Sequence, residues 1–445
     1  MTHFGIVGGG ILGMSLAQRL TQAGHQVTLL EAADHLGGLA DAWQLGDVRW
    51  DRHYHVILLS DNYTRDLVAE LGLAEDMQWV VTKTGFYTDG KLHSLSNSWE
   101  FLKFPPLGLI SKFRLAATIT YASRIKDWKA LEAIPVAEWL QKLSGRRTFE
   151  KIWLPLLRAK LGENYQKTSA AFIWSTIARM YKARRSGMKR EMFGYLKGGY
   201  GRILEAFHKQ LTASGVDIRC SHSVTSATQD ASGKWQLSFR DQPPLECDRV
   251  VFTTPCGIVE KSCPQLATAE KSKLQSLEYQ GIVCASLLLK RPLSPYYVTN
   301  ITDDSPFTAV IEMSALVDPA EFGGRSLVYL PKYVPANHSL LAASDDEIRQ
   351  QFIPALKRMH PSLTDDDILT FQISRVRNVV ALPTLNYSQQ MPAVETSLPG
   401  LYIVNSSQIV DGTLNVNETI RLAEQALPTL LKSPATASQP ELCHV

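Results

Sequence analysis

The glycines at positions 8, 9, 10 and 13 constrain this 445-residue chain more than any other feature. They interrupt a short apolar run, His3 to Val7, that has the pattern of a buried parallel strand. Leu12, Leu16 and Leu20 then recur every fourth residue with Met14 and Ala17 beside them, so a helix starts inside the glycine cluster. Gly24 stands as its C-cap, and Gln26 to Glu31 has the pattern of a second strand ending in a carboxylate. Strand, glycine turn, helix, strand and acid in this order make a dinucleotide-binding unit. Gly8 permits the tight turn, Gly10 lets backbone approach a pyrophosphate, and Gly13 lets the helix pack closely on the sheet. The N–H groups of Ile11 and Leu12 then face phosphate from the positive end of the helix dipole. Glu31, eighteen residues after Gly13 and followed by Ala32, is placed to accept hydrogen bonds from an adenosine ribose. Which dinucleotide binds stays open at this point.

A chain of this length can bury a large core and divides into two or three domains. Its 46 basic and 43 acidic residues leave a net charge of +3, too balanced for nucleic acid as the main partner. A strand starting at His3 leaves no room for a signal peptide, and no apolar run reaches transmembrane length, so a cytoplasmic location is expected. Cys220, Cys247, Cys256, Cys263, Cys284 and Cys443 form no Cys-x-x-Cys pair and no spaced His/Cys set. Buried thiols are therefore expected, with neither a disulfide framework nor a metal site. The tail 432–445, rich in Ser, Ala and Pro at its start, is expected to be disordered.

Six residues beyond Glu31 comes a second glycine pair, Gly37-Gly38, followed by Leu39. A nicotinamide dehydrogenase has no need of it, whereas a chain passing close against a longer cofactor does. The first forty residues resemble the flavin amine oxidase superfamily, which includes protoporphyrinogen oxidase, carotenoid desaturases and, more remotely, UDP-galactopyranose mutase. The resemblance implies that the first motif holds the ADP half of FAD and that Gly37, Gly38 and Leu39 run beside the diphosphate and ribityl chain.

Ala42 to Leu59 alternates as a hairpin with its turn at Gly46-Asp47. In a strand, Asp51, His53 and His55 would share one face and Arg52, Tyr54 and Val56 the other. Metal binding is the weakest use of two imidazoles and a carboxylate, since no third ligand group is near in sequence. The resemblance implies that this segment reaches the flavin edge, which makes His55, and after it His53, the candidate catalytic residues. A pair of hydrogen-bonded structural histidines is the competing expectation.

From Trp99 to about Tyr195 helical patterns dominate, at 112–129, 135–143 and 149–160. Core packing is expected for the apolar, proline-broken start, 101–110, ahead of a tunnel wall or a membrane-touching lip. Arg179, Lys182, Arg184, Arg185, Lys189 and Arg190 put six cations into twelve residues, a solvated face or a site for an anionic group of the substrate. Gly198-Gly199 precedes a helix closed near Gly215, and a strand from Val216 to Cys220 follows. The resemblance assigns the backbone contact with adenine to Val224. The strand 248–255 ends in Thr253-Thr254-Pro255 at a carboxyl edge, where open α/β sheets bind ligands, so Thr254 joins the cofactor set.

Strands are expected at 284–289, 307–313, 326–330 and 369–376, and a helix at 345–359 started by Ser344-Asp345-Asp346-Glu347. Lys332, Tyr333, Arg375, Arg377 and Tyr387 are candidates to line the substrate site. Near the end, 399–406 has a buried-strand pattern, and Asn417-Glu418-Thr419 opens a helix whose dipole, by resemblance, meets the flavin pyrimidine ring. Family members commonly carry Gly-Asp at the strand end, with the acid on a ribityl hydroxyl. This chain has Asn405-Ser406 there, which leaves Asn405 or Asp411 for that contact.

The expected fold is α/β: a Rossmann-like, GR2-type FAD-binding domain with a discontinuous α+β substrate domain and a helical cap. The cofactor domain is assigned to 1–92, 198–284 and 395–431, the cap to 93–197 and the substrate sheet to 285–394. The expected function is FAD-dependent oxidation, with hydride leaving a C–N or C–C unit of a small or lipid-like substrate for flavin N5. Competing expectations are a non-redox flavoenzyme resembling UDP-galactopyranose mutase, acting on a phosphate-linked sugar, and a NAD-binding dehydrogenase or inert dinucleotide-binding protein. Peripheral membrane contact and oligomeric state stay open.

Overall fold

The run His3–Val7 forms strand β1, buried from Phe4 to Val7. Helix α1 (Ile11–Gln22) carries the chain to β2 (Gln26–Leu30), and β3 (Asp217–Arg219), β4 (Arg249–Phe252) and β5 (Leu401–Ile403) join from far along the sequence. In this computed structural model, which describes residues 1–185 and 192–432, the five make one parallel sheet ordered β3-β2-β1-β4-β5.

Strand periodicity splits the core in two. Phe4, Ile6 and Val251 point to one side, against Met14, Leu16 and Leu20 of α1, Phe207, and Ile420 and Ala423 near the C-terminus. Val7, Val250 and Phe252 point to the other, against Trp235, Leu237 and Val259. Gly13 makes the first face possible. A Cβ there would lie 1.9 Å from the Gly8 carbonyl oxygen, so α1 can pack this close only with glycine.

A second sheet of seven strands, ordered 368–381, 279–289, 326–335, 309–312, 298–301, 84–88 and 91–94, forms the substrate-side layer. Three domain boundaries read from the sequence shift accordingly. Residues 84–94 pair in this sheet and not with the first cofactor segment; Tyr279–Leu289 crosses the boundary set at 284; Met192–Leu196 pairs with 57–58 and 77–81. Local pattern identifies a strand, but its partner decides its layer.

The cap is helical, with α2 (Ser98–Lys103), α3 (Leu109–Ala122), α4 (Leu154–Leu161) and α5 (Ala170–Arg185). Its core collects Phe104, Leu107, Leu115, Trp139, Phe149, Trp153 and Trp174. The expectation of core packing for 101–110 holds for Phe104 and Leu107, with Phe101 partly buried against the same core. Leu102 is exposed on α2, and Leu109 and Ile110 are exposed at the start of α3, after the break at Pro105-Pro106. The 345–359 helix starts where expected: Ser344 Oγ accepts from Glu347 N, and Glu347 Oε2 accepts from Ser344 N.

Candidate functional site

The cofactor cleft lies at the carboxyl ends of β1 and β4. Gly10 and Gly37 form a bridge, and a Cβ on Gly38 would lie 3.1 Å from Gly10 Cα, so the two glycine segments run backbone against backbone. No side chain caps α1, which leaves its first-turn amides at Ile11, Leu12 and Gly13 available to an anion. The side chains of Ile11 and Leu12 are core, so only their backbone serves the cleft. Gly8 has φ +115° and sits against Thr253, whose Oγ1 donates to Val7 O.

Glu31 stands at the cleft mouth. Its Oε2 accepts from Gly9 N at 2.6 Å and its Oε1 from Ala33 N at 2.8 Å. Each oxygen keeps a lone pair for a ribose hydroxyl. Ala32 is exposed beside it. Ser221 N donates to Ala33 O and His222 N to Glu31 O, which sets Val224 close to this corner. Val224 begins a strand with an irregular register against 235–239, half-buried beside Val7 and Phe252.

The hairpin Ala42–Leu45/Val48–Asp51 turns at Gly46-Asp47 as expected, but its second arm stops at Asp51. The shared strand face of Asp51, His53 and His55 is therefore absent. The ladder runs out because the first arm starts at Ala42; Arg52 N donates to Asp41 O, its guanidinium pairs with Asp41 at 2.6 Å, and the chain bends away. The bend still gathers these residues. Asp51 Oδ1 accepts from Tyr200 N, and His55 Nδ1 lies 3.7 Å from Asp51 Oδ2, too far for a hydrogen bond. The His55 ring is tilted against Tyr200 at 4.8 Å. His53 is buried with Nδ1 3.4 Å from Leu39 O, and burial, with His55 and Arg52 adding to it, lowers its pKa to about 4. It is neutral at pH 7.

Both residues weighed for the ribityl contact are committed elsewhere. Asn405 Oδ1 accepts from Ser407 N and Oγ, and its Nδ2 donates to Thr254 O, because the turn Ser406–Gln408 needs a cap. Both Asp411 oxygens bind Arg421, which also pairs with Glu418. The last helix runs Val416–Leu431 with Asn415 as N-cap, accepting from Glu418 N. Asn417 Oδ1 sits 3.4 Å from Thr64 N, and Thr419 Oγ1 donates to Asn415 O.

Where the C-terminal cofactor segment meets the substrate layer, a cavity of about 90 Å³ is lined by Lys160, Phe172, Gln280, Tyr333, Val380, Tyr387, Ser406, Val410 and Thr413 among others. Lys160 Nζ lies 5.8 Å from the Phe172 ring and 5.6 Å from that of Tyr333. Burial, and next to it Arg179, pull its pKa below the ordinary lysine value. Tyr333 Oη is 2.9 Å from Tyr54 Oη, and burial raises both phenols above their usual range. Of the five floor candidates, Tyr333 and Tyr387 line this cavity. Lys332, the next strand residue and so on the opposite face, lines a larger one of about 310 Å³ with Arg158, Asp303 and Asp304. Arg375 is tied to Ala343 O and Asp345, and Arg377 to Ala336 O. Of the basic run, Arg179 pairs with Asp61 at 3.0 Å; the side chains of Lys182, Arg184, Arg185, Lys189 and Arg190 lie outside the described residues, as does most of the tail.

Buried polar atoms are ordinarily hydrogen-bonded. Here Arg52 Nε, His53 Nε2, His55 Nδ1, Thr254 Oγ1, Gln280 Oε1 and Arg421 Nε are buried without a partner. Together with the glycine cradle they fit a long cofactor bearing phosphates and hydroxyls. Among the described residues no cluster of three His, Cys, Asp or Glu could hold a metal ion, and the five described cysteines are free thiols.

The model of the family described as flavin containing amine oxidoreductase matches residues 13–412. The chain belongs to that family. Its cofactor is accordingly FAD, and the protein is an FAD-dependent oxidoreductase. The chain is 22% identical over 426 residues to the 15-cis-phytoene desaturase of Glycine max, covering 89% of this chain and 74% of that one. A putrescine oxidase structure with bound putrescine superposes with a TM-score of 0.74 at 14% identity, covering 96% of this chain and 98% of that one. A reduced UDP-galactopyranose mutase gives a TM-score of 0.73 at 14% identity, covering 97% of each. At these identities the two structures show the mixed α/β fold alone. The flavoprotein implied by the resemblance is the family found, and the nicotinamide dehydrogenase is set aside.

Tyr54 and Gln280 escaped the sequence reading as site residues. Gln280 had a signal, a lone amide in the apolar run Tyr279–Leu289. Tyr54 had none, since its partner Tyr333 is 279 residues away.

Proposed function

We propose that the chain oxidises a C–N or C–C single bond of a small or lipid-like substrate held in the cavity between Lys160, Gln280, Tyr333 and the 406–414 segment. One observation carries this reading: the substrate sheet and the C-terminal cofactor segment line the same cavity. FAD, when bound, supplies the hydride acceptor. It would be held by Gly8, Gly10, Gly13, Gly37, Gly38 and Glu31 at its ADP end, with Val224 toward the adenine. The start of the Val416–Leu431 helix, through Asn417, Glu418 and Thr419, lends positive potential to the other end.

The protein's own groups bind and orient. Gln280 Oε1 accepts from a substrate N–H or O–H, and Lys160 attracts an anionic or electron-rich group between two aromatic faces. Tyr54 and Tyr333 stay protonated and act as hydrogen-bond donors, not bases. His53, neutral and fixed by Leu39 O, positions its neighbours, and His55, whose Nδ1 is unpartnered beside Tyr200, is our candidate to take a proton. The relatives divide between C–C chemistry, in the name of the desaturase, and C–N chemistry, in that of the putrescine oxidase.

The test is anaerobic. Amines, polyenes and their carboxylated analogues are added to the FAD-loaded protein while flavin absorbance near about 450 nm is followed. Bleaching by one class assigns the bond oxidised. Isomerisation of a sugar nucleotide by the reduced protein, with no bleaching by any donor, would overturn the proposal in favour of the mutase-like reaction.

A further inference from the structure

Among the described residues, six of the twelve exposed large apolar side chains fall between positions 99 and 121: Trp99, Leu102, Leu109, Ile110, Phe113 and Tyr121. Leu109, Ile110 and Phe113 are 77%, 78% and 75% exposed, so they project as prongs and line no groove. Scattered single apolar residues are normal on a surface, but a contiguous set is not. Trp99 and Leu102 belong to α2, Leu109, Ile110 and Phe113 to the first turns of α3 and Tyr121 to its last, and the fold locks the two helices together. Lys112 is buried and its Nζ donates to Leu102 O at 2.7 Å, so the prongs stand on a fixed base.

The same stretch is basic. From 99 to 127 it carries Lys103, Lys112, Arg114, Arg124 and Lys126 against two acids, Glu100 in α2 and Asp127 at the far end. Lys103 Nζ rests over the Trp99 ring at 4.7 Å, an aromatic and a cation side by side at the edge of the apolar set. Arg114, Arg124 and Lys126 are exposed along α3 and just beyond it. No helix among the described residues is long and apolar enough to cross a membrane.

We propose that the α2–α3 face is a membrane-docking surface, which seats its apolar prongs in the interface of an anionic lipid bilayer. Apolar side chains enter the boundary between headgroups and acyl chains while the surrounding cations meet lipid phosphate. A second copy of the chain fits less well: projecting prongs flanked by an excess of cations would meet like charge across a two-fold interface. The docking does not rest on the redox reaction proposed above, and its test does not read that reaction.

The full FAD-loaded chain is sedimented with phosphatidylcholine vesicles containing about 30% phosphatidylglycerol, and with phosphatidylcholine vesicles alone. The wild type is expected to sediment with the anionic vesicles and to be released in part by about 0.5 M salt. Ile110→Ser/Phe113→Ser is expected to bind about ten-fold or more weakly, with unchanged flavin content and thermal midpoint, since both side chains are exposed. Phe113→Trp gives a second readout, a blue shift of its emission on adding anionic vesicles. Failure of the wild type to bind either vesicle, or equal binding by the double serine variant, overturns the proposal. So does a dimer in light scattering that the serine variant dissolves while vesicle binding is unchanged, which would assign the face to a second copy.

Discussion

Glu31 and His53 show how much one residue can carry. The Glu31 carboxylate accepts two backbone N–H bonds at the turn of the glycine loop, from Gly9 and Ala33. Glu31→Ala removes these along with the ribose contact we propose for it. FAD retained after gel filtration should fall about ten-fold or more, the scale of one or two charge-assisted hydrogen bonds, while the FAD-free thermal midpoint falls only slightly. Retention equal to wild type would remove the ribose role. His53 predicts a pH effect on stability. Its pKa is lowered to about 4 in the fold against 6.5 unfolded, so between those values the unfolded chain binds a proton that the folded one does not. Stability is full above about pH 6.5 and falls toward pH 4, by about 3 kcal/mol at most. His53→Gln should flatten that part of the curve of thermal midpoint against pH, and an unchanged slope would count against the buried neutral imidazole.

Elements begin and end for reasons that vary in reach. The 345–359 helix is set by its own residues: the box between Ser344 and Glu347, acids in the first turn and cations in the last. Ser344→Ala should cost about 1 kcal/mol, read as a small drop in urea midpoint with FAD content unchanged. The second arm of the 42–51 hairpin has a remote cause for its end. Alternation continues in the sequence through His55, but the first arm is preceded by the turn at Gly38–Ala40, so the ladder ends with Arg52 N on Asp41 O and the Asp41–Arg52 ion pair turns the chain. Asn405 is a third case. Its side chain suited a ligand in sequence, yet the turn after β5 takes its oxygen and the Thr254 carbonyl after β4 takes its N–H. Periodicity marks where an element is possible, and partners decide where it stops.

Across the whole molecule, the cofactor sheet is assembled from segments hundreds of residues apart, with β5 and the final helix added last. Ile420, Ala423 and Leu430 from that helix pack in the same core as Phe4 and Met14. A chain ending at residue 398 should therefore lose FAD binding and cooperative unfolding together. FAD should raise the midpoint of the full chain in a concentration-dependent way and leave the truncated one unchanged, by thermal unfolding with and without added cofactor. A truncated chain that still took up FAD would show that the first two segments fold alone.

The sequence by itself determined the cofactor half. A strand, four glycines, a helix and an acid are local requirements, each met within thirty residues by steric necessity at Gly13 and Gly8. The second glycine pair extended this to a longer cofactor, because a backbone approaching backbone needs glycine wherever it occurs, and the family resemblance made that cofactor a flavin. Tertiary structure alone decided the rest. It paired Tyr54 with Tyr333, built a different cavity on each face of the strand carrying Lys332 and Tyr333, and left Leu109, Ile110 and Phe113 outside the core. Those outcomes depend on contacts between distant segments, and the glycine loop that anchors the cofactor says nothing about which of them will meet.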